Sequence, residues 1–561
     1  MRAADLRPIL PKSAALLPFV VLLAGLVLMV SEPAVLVSLR HAVFDHFQRL
    51  QPAVAPAKPV QVIDIDDESL ARIGQWPWSR TVLARLTQRL SEAGASVIGF
   101  DVLFAEPDRT ALSGDDGQLP APRTTASDRV FARSLGSVPS VLGFALGPRG
   151  ASAPPDGRPS LFAGEGPEVF DGLHRFAGGL FPLPELSLGA GLGAINFVPD
   201  ADGVVRRLPL VLALGDRQVP SLVSEMLRLA QGASGFVLRE DALAGRLLHI
   251  GLLRIPVSEA GELWIHYGQL RPDRYLPAWK VLNGEVDLAG LRGRPVLIGA
   301  SAQALMDLRF SPLGEVVPGV EVHAQSLEQV MAGHWLQRPA NAMAIEVLVL
   351  CLVGGLVGGL ALRARALMSA TIAALLLLAL AWGGWHAYAA HGLLLDPAVP
   401  GLLIALIFVS TSVARHIATE RRQRWVRQAF ERYVSPNLVD YLVSHPEELE
   451  LGGVRRVCSF VFTDLADYTT LVDSHDPAQV VSLINAYLDG LIRIAFAHQG
   501  TLDRIVGDAV VVMFSAPLVQ ADHAKRALAC AGEMHAFASA FARARCGRTG
   551  MGADANRGAY R

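Results

Sequence analysis

Phe462-Thr463-Asp464-Leu465-Ala466-Asp467-Tyr468-Thr469-Thr470 is answered downstream by Asp503-Arg504-Ile505-Val506-Gly507-Asp508. Asp464 closes a strand-like run, Ser459–Phe462, and Asp508 falls in a Gly-Asp turn between residues 502–506 and the apolar run 509–514. A strand-ending Asp alone is a weak signal, because turns favour Asp for their own geometry. Two carboxylates that converge are another matter. They form a hard, oxygen-rich site of the kind that Mg²⁺ or Mn²⁺ carrying a nucleoside triphosphate requires.

Working outward, 51 % of the 561 residues are apolar and 18 % charged, which leans toward a membrane protein with soluble parts. The net charge of −2 offers no basic field for nucleic acid, so none is expected as a partner. Four cysteines (Cys351, Cys458, Cys530, Cys546) lack metal-ligand spacing. Residues 14–30, 342–362, 366–385 and 393–413 are each near the roughly 20 residues that cross a hydrocarbon core. The first follows Arg2, Arg7 and Lys12 without a clear cleavage site and reads as an uncleaved anchor, against a cleaved signal peptide. The last holds Asp396 and Pro400, which places its outer end at the interface. Arg363, Arg365 and the arginines from Arg415 to Arg427 put the N-terminus, that short loop and everything after Arg415 in the cytoplasm. Residues 40 to 338 are then outside. Gly354, Gly355, Gly358 and Gly359 suit either helix association or packing against neighbouring spans, and the sequence favours neither.

Between the first two spans, residues 60–65, 96–104, 141–146, 194–198, 204–214, 263–267 and 295–299 read as strands. Residues 80–93, 220–231 and 320–332 read as helices, making an α/β domain of one or two lobes. Residues 106–128 read as a mobile loop. Asp200-Ala201-Asp202-Gly203 opens like a calcium loop but continues with Val205 and Val211 where Gly and Glu are needed, so a turn joining two strands is favoured. Asp64, Asp66, Asp67 and Glu68 read as a strand end capping the next helix, and Ser79 after Trp76-Pro77-Trp78 as a helix cap. Val62-Ile63-Asp64-Ile65-Asp66, Trp76 to Arg80, Ile98-Gly99-Phe100-Asp101-Val102-Leu103-Phe104 and the Asp202-Gly203-Val204-Val205-Arg206-Arg207-Leu208-Pro209 core occur in order. Together they resemble the CHASE2 extracellular sensor family over roughly residues 40–338. That resemblance implies perception of an unidentified external ligand, relayed through three spans to a cytoplasmic module.

After the last span, residues 415–443 read as a juxtamembrane helix broken near Pro436, either a parallel dimer seam or a surface amphipathic helix. Gly452-Gly453-Val454-Arg455-Arg456, Phe462-Thr463-Asp464 with Thr469, Asp503 to Asp508, and Pro517 with Asp522-His523-Ala524 then follow in order. This stretch resembles the class III adenylate/guanylate cyclase family. The resemblance implies that Asp464 and Asp508 bind two Mg²⁺ or Mn²⁺ ions, helped by the Leu465 backbone carbonyl. Ala466, Asp467, Tyr468 and Thr469 would donate to nucleotide phosphates. Asp467-Tyr468 stand where relatives usually carry Gly-Phe, and an extra carboxylate there repels phosphate. Arg504 stands where adenylate-forming members carry Lys, which implies ATP over GTP.

In that family the site lies at a homodimer interface, and the partner supplies a second purine-reading residue, an Asn and an Arg from beyond the 522–537 helix. Residues 542–561 hold no apolar strand and no Val-Asn or helix-borne Arg pattern. They read as an aberrant, frameshift-like tail. The expectation is a multi-domain membrane protein: 1–39 N-terminus and first span, 40–338 α/β sensor, 339–414 three further transmembrane helices, 415–451 linker, 452–541 the N-terminal half of an α/β cyclase domain, and 542–561 the tail. Its expected activity is formation of cyclic AMP and pyrophosphate from ATP, at a bacterial-type inner membrane. The chain alone is expected to be inactive, as an interrupted cyclase or a dead receptor that modulates an intact one. No Gly-Gly-Asp-Glu-Phe phrase or phospho-acceptor His box supports another output.

Overall fold

The computed structural model describes residues 12–54, 56, 60–109, 124–155, 160–165, 169–241, 245–302, 305, 307–430, 455–465, 468, 476–516 and 518–546. They fall into two compact units, one running from Ala15 to Ser412 and the other chiefly from Val413 onward.

The larger unit is built on a sheet ordered Tyr275–Pro277, Gln61–Ile65, Pro295–Ala300, Val97–Leu103, Ser140–Gly147, with Gly191–Ala194 and Gly178–Leu180 both on the last of these. All pairs are parallel except Gly178–Leu180. Alternate side chains leave each strand on opposite faces, so a strand buried on both sides reads as an unbroken apolar run. Val62, Val97, Val141 and Leu297 enter one core with the helices Leu222–Ala230 and Gly319–Ala332. Ile63, Ile98, Leu142 and Ile298 enter the other with Arg80–Glu92, Ala126–Leu135 and Ala278–Asn283. The helices lie close to the sheet because Gly299 leaves no room for more: a Cβ there would sit 2.6 Å from Val320.

The expected strands at 60–65, 96–104, 141–146 and 295–299 are present, as are the three helices. The segment 204–214 is broken at Leu210 into Arg207–Pro209 and Val211–Leu214, which pair with different partners. Most of 194–198 and 263–267 is not strand; only Gly191–Ala194 and Glu262–Trp264 are. Within 106–128, residues 110–123 lie outside the described set. The expected loop nevertheless ends early, because Thr125 and Asp128 form a reciprocal capping box that starts Ala126–Leu135. Asp66 caps Asp67–Ile73 and Ser79 caps Arg80–Glu92, as the sequence indicates. Unforeseen is a sheet ordered Leu253–Val257, Gly245–Ile250, Gly235–Asp241, Leu161–Glu165.

Among the described residues, Ala342–Arg363, Ala366–His391, Ala398–Arg421 and Pro477–Ala497 are long and apolar enough to cross a membrane. Leu16–Ser31 and Ala34–Leu50 meet at a 78° bend and together count as a fifth candidate. The expected span at 393–413 begins only at Ala398, because the Asp396 carboxylate accepts from the Ala398 and Val399 N–H groups and starts the helix there. Gly354 and Gly358 face Leu22, Pro18 and Ile407 of the same chain, whereas a Cβ at Gly355 would meet nothing within 4 Å. Half of the glycine pattern thus serves internal packing.

In the second unit, Ser459–Phe462, Ala509–Phe514 and Thr501–Val506 form an antiparallel sheet with Ala509–Phe514 in the centre. Pro477–Ala497 and His523–Cys546 cover one face, burying Val461, Leu491, Val510, Val512, Phe514 and Cys530. Pro477–Ala497 passes the length-and-composition test for a span, yet Ile484, Tyr487, Leu488 and Ala495 pack on this sheet as a core face. On the other side Phe460 and Phe462 are exposed and stacked on one another. Residues 431–454 and 547–561, which hold the expected juxtamembrane break, the Gly452-Gly453 entry and most of the tail, lie outside the described set.

Candidate functional site

Two local devices bring Asp464 and Asp508 to one end of the small sheet. The first is the turn between its long strands. Val506 pairs with Ala509, and Gly507 at φ +62° supplies the left-handed residue that a two-residue hairpin needs. The second is Thr463. Its backbone N–H and hydroxyl both donate to the Val510 carbonyl, and its hydroxyl accepts from the Val510 N–H, so the strand ends pinned to the central one. The next residue but one then reaches across. The Leu465 N–H donates to Asp508 Oδ2 at 3.0 Å.

Asp508 is 9 % exposed, while Asp464 is exposed and has no partner among the described residues. The two carboxylates are therefore separated by one tied residue: one buried and oriented, the other free. Leu465 and Tyr468 pack against the unit's core. The structure uses the Leu465 N–H, a donor that sequence reading did not single out; Thr463 was likewise missed, although a Thr at a strand end is a readable lock. Ala466, Asp467 and Thr469 lie outside the described residues. Arg504 sits on the outer strand beside a register shift at Leu502/Arg504, and its Nε donates to Asp503 Oδ2 at 2.7 Å. The Asp522-His523-Ala524 phrase has a structural role: His523 Nδ1 and Ser459 Oγ lie 2.8 Å apart, joining the last helix to the first strand.

No group of three His, Cys, Asp or Glu side chains gathers among the described residues. The donor set at hand is a pair of carboxylates. Hard oxygens are what Mg²⁺ and Mn²⁺ take, and Mg²⁺ is commonly held by one or two carboxylates plus substrate phosphates and water, so the residues fit that ion class.

Adenylate cyclase 1 of Rhizobium meliloti (strain 1021) is 35 % identical over 77 residues, which is 14 % of this chain and 12 % of that relative. An uncharacterized protein of Mycobacterium tuberculosis is 33 % identical over 101 residues, 18 % of each chain. The chain thus spans less than a fifth of the length of these relatives. The crystal structure of the adenylyl cyclase CyaB from P. aeruginosa matches 16 % of this chain and 47 % of that one at 26 % identity, with a TM-score of 0.16. The CHASE2 domain model matches residues 19–360, a stretch that takes in the whole parallel sheet and both of its cores. The chain belongs to the CHASE2 domain family.

Proposed function

We propose that this chain is a receptor-type class III cyclase, with a CHASE2 sensor outside a bacterial inner membrane and the carboxylate half of an adenylate cyclase site in the cytoplasm. The observation that carries the reading is the Leu465–Asp508 hydrogen bond, which holds Asp464 and Asp508 at one end of one sheet. Asp464 and Asp508 would hold Mg²⁺ or Mn²⁺, which when bound would supply charge neutralisation at the triphosphate and acidity at the ribose 3′-hydroxyl. Asp508 is oriented before nucleotide arrives, because burial and the Leu465 N–H fix its carboxylate. By the family resemblance Tyr468, with Ala466, Asp467 and Thr469, would donate to the phosphates. Arg504 reads the purine: a cationic donor suits the ring-nitrogen acceptor of adenine, where guanine presents a donor of its own, so ATP is preferred. To do so Arg504 must leave or share Asp503. The arginines flanking the spans orient the sensor outward. An intact cyclase chain, paired with this one, supplies the remaining catalytic groups.

The test is ATP binding by the purified chain with and without Mn²⁺. Metal-dependent binding should fall at least about tenfold in Asp508→Ala and in Asp464→Asn, since removing a ligating charge typically costs that much or more. Cyclic AMP should form when the chain is mixed with a class III catalytic domain whose own metal-binding carboxylates have been replaced, and not with that domain by itself. Equal ATP binding with and without metal would sink the reading. The second reading, a catalytically dead receptor that modulates a partner, is favoured by the sequence Asp467-Tyr468 where cyclases usually carry Gly-Phe. It predicts no ATP binding together with a changed rate of an intact cyclase domain.

A further inference from the structure

The carboxyl ends of the parallel strands open on a cavity of about 470 Å³. Ile65, Leu103 and Ala300 are the last residues of three adjacent strands, and Ile195, Asn196 and Phe197 follow a fourth. Ligands of open α/β sheets bind in this position, outside the carboxyl ends of the strands. The size lies within the range of small-molecule sites.

Its polar lining is unbalanced. Asp307 and Arg309 neutralise one another at 2.7 Å, and the guanidinium lies 5.0 Å over the Phe197 ring. Asp101 has no such partner. Its side chain is 3 % exposed, it lines the cavity, and its Oδ2 accepts no hydrogen bond among the described residues. A register shift between Phe100 and Leu103 sits at this residue, a device that re-aims side chains near functional sites. Behind it, His323 is fully buried and lies tilted against Phe197; its Nε2 is 3.7 Å from Asp101 Oδ1, and neither ring nitrogen is hydrogen-bonded among the described residues. A buried carboxylate left without a donor is costly, and native proteins keep few such atoms. The remaining walls, Trp76, Ile65, Leu103 and Leu305, are apolar.

We propose that this cavity is the signal-binding site of the sensor domain, and that it takes a small organic cation: an ammonium group on an apolar body. The ammonium donates to Asp101, and the body lies against Trp76 and Leu305. Anionic ligands find no available cation among the described lining residues, because Arg309 is held by Asp307, and gain nothing from Asp101. The role as a signal rests on the receptor reading above; the binding does not.

Burial, followed by the Asp307 charge and opposed by Arg309, pushes the Asp101 carboxyl up to about 8. Burial, then Arg309, pushes His323 down to about 3. Those are the groups that face Asp101: His323 from the helix Gly319–Ala332, and Asp307 and Arg309 from the segment entering Leu308–Phe310. Near pH 7 the empty site therefore holds a protonated Asp101 beside a neutral His323. A cation must expel that proton, so affinity rises as pH rises from 6 toward 8.

The experiment uses the full chain in lipid nanodiscs, with phenethylammonium as probe and melting temperature as readout. At a hundredfold excess over Kd a rise on the order of 5 °C is expected, larger at pH 8 than at pH 6. Asp101→Asn should weaken binding at least about tenfold and abolish the pH dependence. That variant should still fold. An acid raised from 3.8 to about 8 contributes stability below its unfolded value that is lost as pH rises through 8, so at pH 8 Asp101→Asn should melt no lower than the parent. Equal stabilisation by phenylethanol or phenylpropionate would overturn the proposal, as would an undiminished response in Asp101→Asn. Stabilisation by Zn²⁺ or Mn²⁺ alone, with none by the amine, would overturn it in favour of a metal site. None of these outcomes touches the cyclase reading, because no nucleotide enters the measurement.

Discussion

Replacing Arg206 by alanine is expected to destabilise the sensor unit by about 3–5 kcal/mol, the usual consequence of removing one member of a buried ionic cluster. The Arg206 side chain is 2 % exposed and serves three carboxylates. It meets Asp45 through two bonds of 2.7 and 2.8 Å, Asp200 at 2.8 Å and Asp202 at 2.7 Å. Burial alone would depress the guanidinium pKa; the hydrogen bonds to Asp45, Asp202 and Asp200 outweigh it and hold the group above its ordinary value. The turn Asp200-Ala201-Asp202-Gly203 thus exists to aim two carboxylates at an arginine, not at calcium. Without Arg206, Asp45 is left on the helix Ala34–Leu50 with its partner gone. Arg206→Lys should recover only part of the loss, since a single ammonium does not reproduce a planar fork that bonds Asp45 twice. Denaturant unfolding of the chain in nanodiscs reads this directly. A loss below about 1 kcal/mol for Arg206→Ala would show that the cluster contributes little.

Arg274→Ala should cost a similar amount and show a different signature with pH. Arg274 bonds Glu321 and Glu328, the latter at 2.7 Å, and all three side chains are at most 8 % exposed. Tyr275 and Gln325 also donate to Glu321, and the Val60 N–H donates to Glu328. Burial already raises the Glu328 pKa, against the pull of Arg274. Removing Arg274 raises it further. An acid whose folded pKa is raised contributes stability at low pH and loses it as pH rises through that value. The variant should therefore be closest to the parent near pH 5 and furthest from it near pH 8. Replacing all three ionic residues together by Met and Leu should restore most of the loss, because a buried ion pair is often worth no more than well-packed apolar groups. If the triple variant stays as weak as Arg274→Ala, the loss belongs to packing or to the hydrogen bonds from Tyr275 and Val60.

The parallel core was legible because strands buried on both faces leave unbroken runs of branched residues, as in 60–65 and 295–299. The sheet containing Gly235–Asp241 was not. Its strands mix charge into the pattern, and Phe236 and Leu238 are buried while Arg239, Glu240 and Asp241 are exposed. The helix Ala126–Leu135 hid behind its acidic, Pro-rich approach, although Thr125 and Asp128 carried a capping box that composition alone obscures. Asp464 and Asp508 could be read as a pair because each ends or turns a strand. The bond that joins them, Leu465 to Asp508, could not, since it is a tertiary contact. Asp101, His323 and Arg309 are further from legibility: more than two hundred positions separate Asp101 from the others, and only the sheet topology brings them together.

The bend at Pro33 has a mechanical meaning. The helix beyond it is fastened at two points, by Asp45 to Arg206 in the sensor and by Arg40 to Asp396 at the start of the last apolar helix. Arg40 also holds Glu32, at the bend itself. A joint tied at the bend and again along the helix beyond it resists opening. The helix Ala34–Leu50, the parallel-sheet domain and the head of Ala398–Arg421 are thereby joined by one run of ionic contacts, from Arg206 through Asp45 and Arg40 to Asp396.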